Sequence, residues 1–270
     1  MNTPNLTLAR FSLAIATGLI AISATSSLAS LPLETETARL SPVGRLTTSG
    51  AYEYQTSTEG HEAAIPFAFE YGLTDRIELL VEPVAYAAVR PKLGARATGV
   101  GDVEATAVYL VSHERGSLPA FAVAGEVKVP TARNNLLGTG ATDFTGYLIG
   151  SHKLGRRFDT HANLAYTLVG QPAGVQLDNL VSYALAFEYE ATPKLDLVSE
   201  VYGNTSATGE GQEAGTGGEN AVIPEASGGE TVGVVGFRYL AAPGTTLSLG
   251  VSYDNNKAVV FAPGITRHFD

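Results

Sequence analysis

The chain has 270 residues, with 17 Lys and Arg against 27 Asp and Glu, so its formal net charge is −10. This acidic balance argues against a nucleic-acid partner, which requires a basic face, and the absence of cysteine excludes disulfides and thiolate metal sites. An apolar fraction of 44% is too high for a disordered chain, and the length fits one or two domains or a single large barrel.

The first residues predict a secretory signal peptide. Arg10 precedes an apolar stretch that begins at Phe11, and Ser27-Leu28-Ala29 supplies a small-x-small cleavage pattern. The apolar stretch is shorter than the roughly 20 residues of a spanning helix, which disfavours the alternative of a membrane anchor. We therefore expect residues 1–29 to be removed on export and residues 30–270 to form one mature barrel domain.

From residue 43 onward the sequence alternates apolar and polar residues with period two, the spacing of β-strands. The segments 65–71 and 77–85 begin this pattern, and the segment 181–190 separates its apolar and polar sets without exception. The alternation predicts about twelve strands, at residues 43–56, 62–73, 76–90, 100–111, 118–130, 141–154, 157–170, 179–191, 194–205, 230–241, 245–255 and 259–269.

The connections between these strands alternate between short and mostly longer segments. The short ones lie at residues 73–75, 112–117, 155–156, 191–193 and 242–244, and the longer ones at 57–61, 91–99, 131–140, 171–178 and 205–229. Short turns on one side and long loops on the other are typical of an outer-membrane barrel, with the short turns in the periplasm. A soluble β-sandwich or lipocalin has no reason to sort its loops in this way, although a simple meander can do so by chance.

Aromatic residues mark one level of the predicted barrel. The strands that run toward the short turns end in aromatic residues on their apolar faces, namely Tyr71, Tyr109, Tyr189, Tyr239 and Phe269. An interfacial girdle of a membrane barrel explains this common height, whereas the general preference of aromatic residues for strands explains only their presence. The predicted fold class is therefore all-β, an antiparallel transmembrane outer-membrane β-barrel of about twelve strands, with its apolar faces toward lipid.

The polar faces of the strands then line the interior, where carboxylates outnumber bases. Unpaired ions buried away from water are costly, so we expect these charges to be paired or solvated. A water-filled interior of this kind has a negative field that favours cations over anions. The alternative is that Lys128 and Arg238 only neutralise carboxylates of the wall. The candidate residues along the pathway are Glu53, Glu78, Glu82, Glu104, Glu126, Lys128, Glu188, Glu200 and Arg238.

No motif for chemistry stands out, and we expect no enzymatic activity, no cofactor and no metal site. His161 shares its face with Asp159 and Asn163, but the sequence identifies no serine within reach of it. The glycine pairs at 99–101 and 138–140 do not lead into helices, which disfavours phosphate-binding loops. The segment 205–229 is Gly-rich and acidic, and an unstructured loop is expected there in preference to a cation site.

Four segments carry a resemblance to a known family. They are residues 99–110 (Gly-Val-Gly-Asp-Val-Glu-Ala-Thr-Ala-Val-Tyr-Leu), 119–131 (Pro-Ala-Phe-Ala-Val-Ala-Gly-Glu-Val-Lys-Val-Pro-Thr), 137–144 (Leu-Gly-Thr-Gly-Ala-Thr-Asp-Phe) and 162–170 (Ala-Asn-Leu-Ala-Tyr-Thr-Leu-Val-Gly). The chain resembles, over residues 43–269, the outer-membrane transporter-like family named for the meta-cleavage pathway of phenol degradation. The resemblance implies a channel-like barrel with aromatic or other small organic compounds as cargo. Ala132-Arg133 departs from the family pattern, in which Gly is expected after Lys-Val-Pro-Thr.

The expected function is passive passage of small organic solutes through a barrel of the cell outer membrane, with no chemical step. The expected partners are outer-membrane lipid, a small-molecule solute and the barrel-assembly machinery. The alternatives are a non-conducting structural or surface-binding barrel and, third, an enzyme barrel. Within the segment 181–190, Leu185 is expected to contact lipid and Ala186 to face the lumen, so that arginine at position 186 leaves folding nearly intact.

Overall fold

The computed structural model describes residues 31–172, 176–207 and 229–269, so the predicted signal peptide and most of the acidic segment 205–229 lie outside the described residues. No described segment is a helix of the length and hydropathy required to cross a membrane. The strands of the described chain are β1 Leu46–Ala51, β2 Glu53–Thr56, β3 Gly60–Gly72, β4 Ile77–Pro91, β5 Ala97–Gly99, β6 Val103–Ser112, β7 Ala120–Val129, β8 Asp143–Leu154, β9 Phe158–Leu168, β10 Leu180–Thr192, β11 Leu195–Asn204, β12 Glu230–Ala242, β13 Thr245–Asp254 and β14 Val259–Phe269.

Because two of the wall positions are each made of two short strands, these strands occupy twelve antiparallel wall positions, which we call staves, and close into a barrel. β1 and β2 make one stave on either side of Tyr52, since both pair with β3 and with β14, and β5 and β6 make another beside β4. Closure runs between β1 and β14, from Leu46 opposite Phe269 to Ala51 opposite Gly264. A closed sheet leaves no row of unpaired backbone groups. The predicted antiparallel barrel of about twelve strands is confirmed.

The two faces of the wall have opposite chemistry because successive side chains of a strand point to opposite sides. In β3, Phe67, Phe69 and Tyr71 are exposed on the outer surface, whereas Ala68 and Glu70 between them are buried inside the barrel. The other long strands follow the same pattern. The barrel is therefore apolar on the outside and polar or small-chained on the inside, the reverse of a soluble barrel.

The predicted aromatic level lies on this outer surface, next to the short turns. Tyr71, Tyr109, Tyr239 and Phe269 are exposed there. Tyr189 is half-buried because it packs on Phe158, with ring centroids 4.7 Å apart.

Most connections are sorted by length as predicted, except that residues 57–59 and 255–258 at the long-loop end are shorter than residues 113–119 at the other end. At one end β10–β11 and β12–β13 are joined by two residues each, at 193–194 and 243–244, and Gly244 adopts the positive φ of 68° that such a tight turn requires. At the other end the connections include residues 130–142 and 205–229. We refer to these as the short-turn end and the long-loop end.

Two predicted strands differ in detail. The first begins at residue 46 instead of 43, because the Arg45 N–H donates to the Pro42 carbonyl at 3.0 Å and closes a turn. The strand predicted at 100–111 begins only at Val103 as β6, and β5 lies before it in the predicted loop 91–99, so that a gap at residues 100–102 separates the two strands. In the gap, Asp102 Oδ1 accepts hydrogen bonds from the Thr131 and Ala132 N–H groups, each at 3.0 Å, and this fastens the following long loop to the wall.

Residues 31–42 precede the first strand and run inside the barrel, and we call this segment the strap. It makes one circuit of the inner wall and contacts each of the twelve staves. At its carboxyl end, Ser41 is hydrogen-bonded to β3 and β4, and Ala38 lies in a hydrophobic cluster with residues of β6, β7 and β8. In the middle, Glu36 contacts β9 and the segment 33–35 contacts β10 and β11. At the amino end, Pro32 packs on β12 and β13, and Leu31 packs with residues of β14, β1, β3 and β4.

Small wall residues make room for the strap. Leu33 and Ala186 are both 0% exposed and pack together with Val198. Pro32 lies over Gly250, where an added Cβ would come within 2.6 Å of the Pro32 Cβ. Ala186 thus faces inward and Leu185, 39% exposed, faces outward. An arginine side chain at position 186 would therefore meet Leu33 of the strap.

Candidate functional site

The interior of the barrel, with the strap inside it, is the candidate site. At the short-turn end, Arg39 Nη2 donates to Glu114 Oε2 at 2.8 Å and to Asp159 Oδ1 at 2.7 Å. The hydrogen bond from the Lys153 N–H, together with Arg39, lowers the pKa of Glu114. Because the Arg39 side chain is 36% exposed, each of its ion pairs contributes on the order of 0–1 kcal/mol. Arg39 therefore fastens the strap loosely to the loop 113–119 and to β9.

Next to Arg39, the strap is held at Ala38 by a connected series of polar side chains. The Ala38 N–H donates to Ser151 Oγ at 2.8 Å, and Ser151 Oγ lies 2.8 Å from His161 Nδ1. His161 Nε2 in turn lies 3.5 Å from Glu188 Oε1, and Glu188 forms an ion pair with Arg238. The sequence did not identify Ser151, because it lies on a different strand from His161 and the two meet only through the β8–β9 pairing.

A serine, a histidine and a carboxylate in this order resemble the parts of a hydrolase triad. Ser151 is 1% exposed and its hydroxyl accepts the Ala38 N–H, so no nucleophile is presented to a substrate while the strap is in place. The arrangement satisfies a buried backbone group of the strap, which is its evident structural role.

The middle of the strap carries two glutamates into an acidic region. Glu200 accepts hydrogen bonds from the Glu34 N–H at 2.9 Å and from the Thr35 hydroxyl. The Asn163 amide pairs with the backbone N–H and carbonyl of Glu36. Burial, followed by the charges of Glu53 and Glu200, raises the pKa of Glu34 well above its ordinary value.

The basic side chains of the inner wall are paired. Lys128 forms an ion pair with Asp143 and donates to Thr139 Oγ1 at 3.2 Å. Arg238 pairs with Glu188 and lies 3.9 Å from Asp196. These contacts fit the alternative in which Lys128 and Arg238 neutralise carboxylates of the wall.

The nine candidate pathway residues differ in their contacts. Glu78 and Glu200 hold the strap, since Glu78 Oε2 accepts the Ser41 N–H at 2.6 Å. Lys128, Glu188 and Arg238 are in the ion pairs above, and Glu126 accepts a hydrogen bond from the Tyr147 hydroxyl at 2.9 Å. The buried Oε2 atoms of Glu53 and Glu82 receive no hydrogen bond from any described residue. Glu104 is buried opposite Glu82 and Lys128 on the neighbouring strands.

A cavity of about 40 Å³ lies between strap and wall and is lined by Pro32, Glu34, Glu53 and Tyr202, among others. At about 10–15 Å³ per water, it holds a few water molecules and no organic solute. Wider clefts of about 300 and 570 Å³ open at the short-turn end, beside Arg238 and Arg267 respectively.

The sequence does not predict the strap. Its only signal is that the thirteen residues 30–42 separate the predicted cleavage site from the first strand, with Leu31, Leu33, Thr35 and Thr37 on alternate positions. Such alternation over a short segment without turn residues is ambiguous. Within the described ranges, no group of three or more His, Asp or Glu side chains is arranged to hold a metal ion.

Comparison with known proteins gives a family and a fold. A family model described as "Putative MetA-pathway of phenol degradation" matches residues 47–262. No curated protein matches the sequence. Among solved structures, the NanC porin is 10% identical, with a TM-score of 0.59 over 82% of this chain and 98% of that one. The KdgM porin is 9% identical, with a TM-score of 0.52 over 82% and 99%. The CymD monoaromatic hydrocarbon channel has a TM-score of 0.46 at 9% identity, over 84% and 89%.

Proposed function

The chain belongs to the phenol-degradation family whose model it matches, and on that premise we propose that it is an outer-membrane channel for passive passage of small organic solutes, including aromatic compounds. The protein performs no chemical step. Its partners are outer-membrane lipid, the solute and the barrel-assembly machinery that inserts it, and residues 1–29 direct its export.

The observation that carries this proposal is that the barrel wall is apolar on the outside and polar on the inside, the reverse of a soluble barrel. Large apolar residues such as Leu148 and Val235, each at least 60% exposed, cover the outside, and carboxylates cover the inside. A continuous apolar surface around a whole barrel exceeds what soluble monomers expose and fits a hydrocarbon environment. Most staves have ten or more residues, which is enough to cross a bilayer of about 30 Å when tilted.

The charge of the interior supports a preference for cations. Lys128, Arg238 and Arg39 are each engaged by carboxylates, while Glu53, Glu82 and Glu104 face the interior beyond them. A ring of carboxylates attracts positive charge and repels anions. We therefore propose that the nine candidate residues line the pathway and that positively charged or neutral solutes pass more readily than anions.

The strap makes passage conditional. Because it lies inside the barrel against residues of all twelve staves, the strap occupies part of the path of a solute, and a solute crosses more readily when the strap moves aside. The same contacts favour a second candidate function, a non-conducting barrel that the strap closes permanently.

Solute flux into proteoliposomes distinguishes these two functions. We expect vesicles that contain the folded chain to swell in a small aromatic solute and in an organic ammonium salt faster than in a carboxylate salt of similar size. Vesicles with the heat-unfolded chain are the control. Equal swelling with folded and unfolded chain for every solute would contradict the channel and leave the non-conducting barrel.

A further inference from the structure

A small cavity lies at the contact between the strap and the wall. It has a volume of about 40 Å³. The polar side chains that line it are Glu34 of the strap, Glu53 of β2, Tyr202 of β11 and Ser252 of β13. All four of these side chains end in oxygen. At about 10–15 Å³ per water, the volume admits a metal ion with one or two waters and excludes an organic ammonium.

One carboxylate of this lining has an unpartnered oxygen. Glu53 is 8% exposed, and its Oε2 atom is buried without a hydrogen bond from any described residue. The residue opposite Glu53 on β3 is Ala64, which is 0% exposed and has no side-chain donor. An ionised carboxylate buried in this way is strongly disfavoured unless a positive charge accompanies it. Glu53 therefore points to a bound partner in the cavity.

Glu34 brings a second carboxyl group to the same cavity. Burial and then the charge of Glu53 raise the pKa of Glu34, so the two carboxyl groups lie close together. The nearby Glu200 is already engaged, since it accepts hydrogen bonds from the Glu34 N–H at 2.9 Å and from the Thr35 hydroxyl. Two carboxyl groups that share a buried cavity do not both ionise unless a cation lies between them.

The size and the ligands of the cavity favour Ca²⁺. This ion takes about six to eight oxygen ligands, and the oxygens of two carboxylates supply part of them. The Tyr202 and Ser252 hydroxyls, with one or two waters, are available for the rest. Mg²⁺ usually keeps several waters, for which about 40 Å³ leaves too little room. The site uses two carboxylates, so it differs from the groups of three or more His, Asp or Glu side chains that the described ranges lack.

We propose that the cavity between Glu34 and Glu53 is a calcium site that joins the strap to the wall, so that Ca²⁺ binding keeps the strap docked on the inner wall. Because Glu34 moves with the strap and Glu53 stays in the wall, undocking takes the site apart. A ligand that binds only the docked state stabilises that state by mass action. In the calcium-free protein, a proton on Glu34 takes the place of the ion. The proposal departs from the sequence-based expectation of no metal site, and it is independent of whether the barrel conducts.

Direct binding to the mature chain, which begins at Ser30, tests the site. The chain is refolded in detergent, freed of metal with a chelator and titrated with Tb³⁺, a luminescent substitute for Ca²⁺. Because the chain has no tryptophan, Tb³⁺ emission is excited through a neighbouring tyrosine, and Tyr202 lines the cavity. We expect saturable emission that Ca²⁺ displaces and that is lost in Tyr202→Phe. Emission that is absent, or that persists in Tyr202→Phe, would overturn the proposal.

Variants of the two carboxylates identify the ligands. Glu34→Gln and Glu53→Gln each remove one charged ligand, and we expect each to weaken Ca²⁺ binding at least about tenfold. The matched control is Glu62→Gln, which also removes a buried wall carboxylate with an unpartnered Oε2, although Glu62 does not line this cavity. The control should leave the Ca²⁺ affinity unchanged. Equal affinity in all three variants would show that Ca²⁺ binds elsewhere on the chain and would refute the site.

Because the chain has no cysteine, a thiol introduced into the strap reports on docking. Leu33 is 0% exposed and packs against Ala186, so the thiol of Leu33→Cys is protected from a maleimide while the strap is docked. We expect Ca²⁺ at about ten times its Kd to slow labelling about tenfold, the factor for binding to the docked state alone. Adding Glu53→Gln should remove this slowing, and adding Glu62→Gln should preserve it. Labelling that Ca²⁺ leaves unchanged, or that Mg²⁺ slows equally, would refute the proposal, whereas a barrel that never conducts would contradict only the proposed function.

Discussion

At the scale of single residues, the barrel wall is tested most sharply by which side chains of β10 point to lipid and which point to the lumen. Leu185→Arg would place a charge on the lipid side, which costs about 2–4 kcal/mol near the bilayer midplane. Ala186→Arg would instead collide with Leu33 and drive the strap out, while the barrel stays folded. We expect impaired folding for the first variant, measured by heat-modifiable gel migration, and raised conductance for the second. The reverse result would place the apolar face away from lipid.

Gly250 sets the space under Pro32. Valine there would bring a Cβ within 2.6 Å of the Pro32 Cβ, and overpacking of this kind costs about 1–3 kcal/mol. We expect Gly250→Val to weaken strap docking by that amount, read as faster proteolysis within the strap. Gly125→Val is the control, because an added Cβ at Gly125 meets nothing within 4 Å. If the two variants behave alike, Pro32 does not pack on β13.

At the scale of the element, the strap should respond to pH. Glu34 faces Glu53 of β2, Glu82 of β4, Glu104 of β6, and Glu200 and Tyr202 of β11, together with Glu36 of the strap. Burial and these carboxyl groups raise the pKa of docked Glu34, whereas the undocked group titrates near 4.5.

Docking of the strap therefore takes up a proton at Glu34, and this determines how docking changes with pH. Below about pH 4.5 both states are neutral and docking is strongest; above it, docking weakens as pH rises toward the raised pKa. Conductance and strap proteolysis should increase with pH across this window, and Glu34→Gln should flatten the increase. A strap that loosens on acidification instead would contradict this assignment.

The strands were predictable from the sequence and the strap was not, for a physical reason. Alternation in segments such as 181–190 indicates which face of a strand is apolar, and it predicts both ends of β10 to within two residues. The strap forms no ladder and no amphipathic face. Its position depends on Glu200, Ser151 and Gly250, which come from strands far apart in sequence.

The contacts within the site were only partly predictable. The inward direction of Glu78 and Glu200 follows from period two, but their role in holding the strap does not. Ser151 reaches His161 through the register of β8 and β9, which pairs these two residues directly. Register depends on the β8–β9 turn at 155–157, and a shift of one residue would have moved Ser151 to the outer face.

At the scale of the whole molecule, the sorting of loops predicts an orientation. The short turns should lie in the periplasm and the long loops outside the cell. A protease site inserted at Thr216, in the segment outside the described residues, should be cut on intact cells. The same site inserted at Asp75, in the turn between β3 and β4, should be cut only after the outer membrane is permeabilised. The opposite pattern would invert the topology.

The central claim is that an acidic pore exists and that the strap obstructs it. Its most direct test is the reversal potential in a planar bilayer under a low-salt gradient, for the chain that begins at Ser30 and for one that lacks residues 30–42. We predict small conductance for the first and a large, cation-selective conductance for the second, with selectivity that declines as the screening length falls to about 3 Å at 1 M salt. A shortened chain that folds but stays closed, or that prefers anions, would contradict the account.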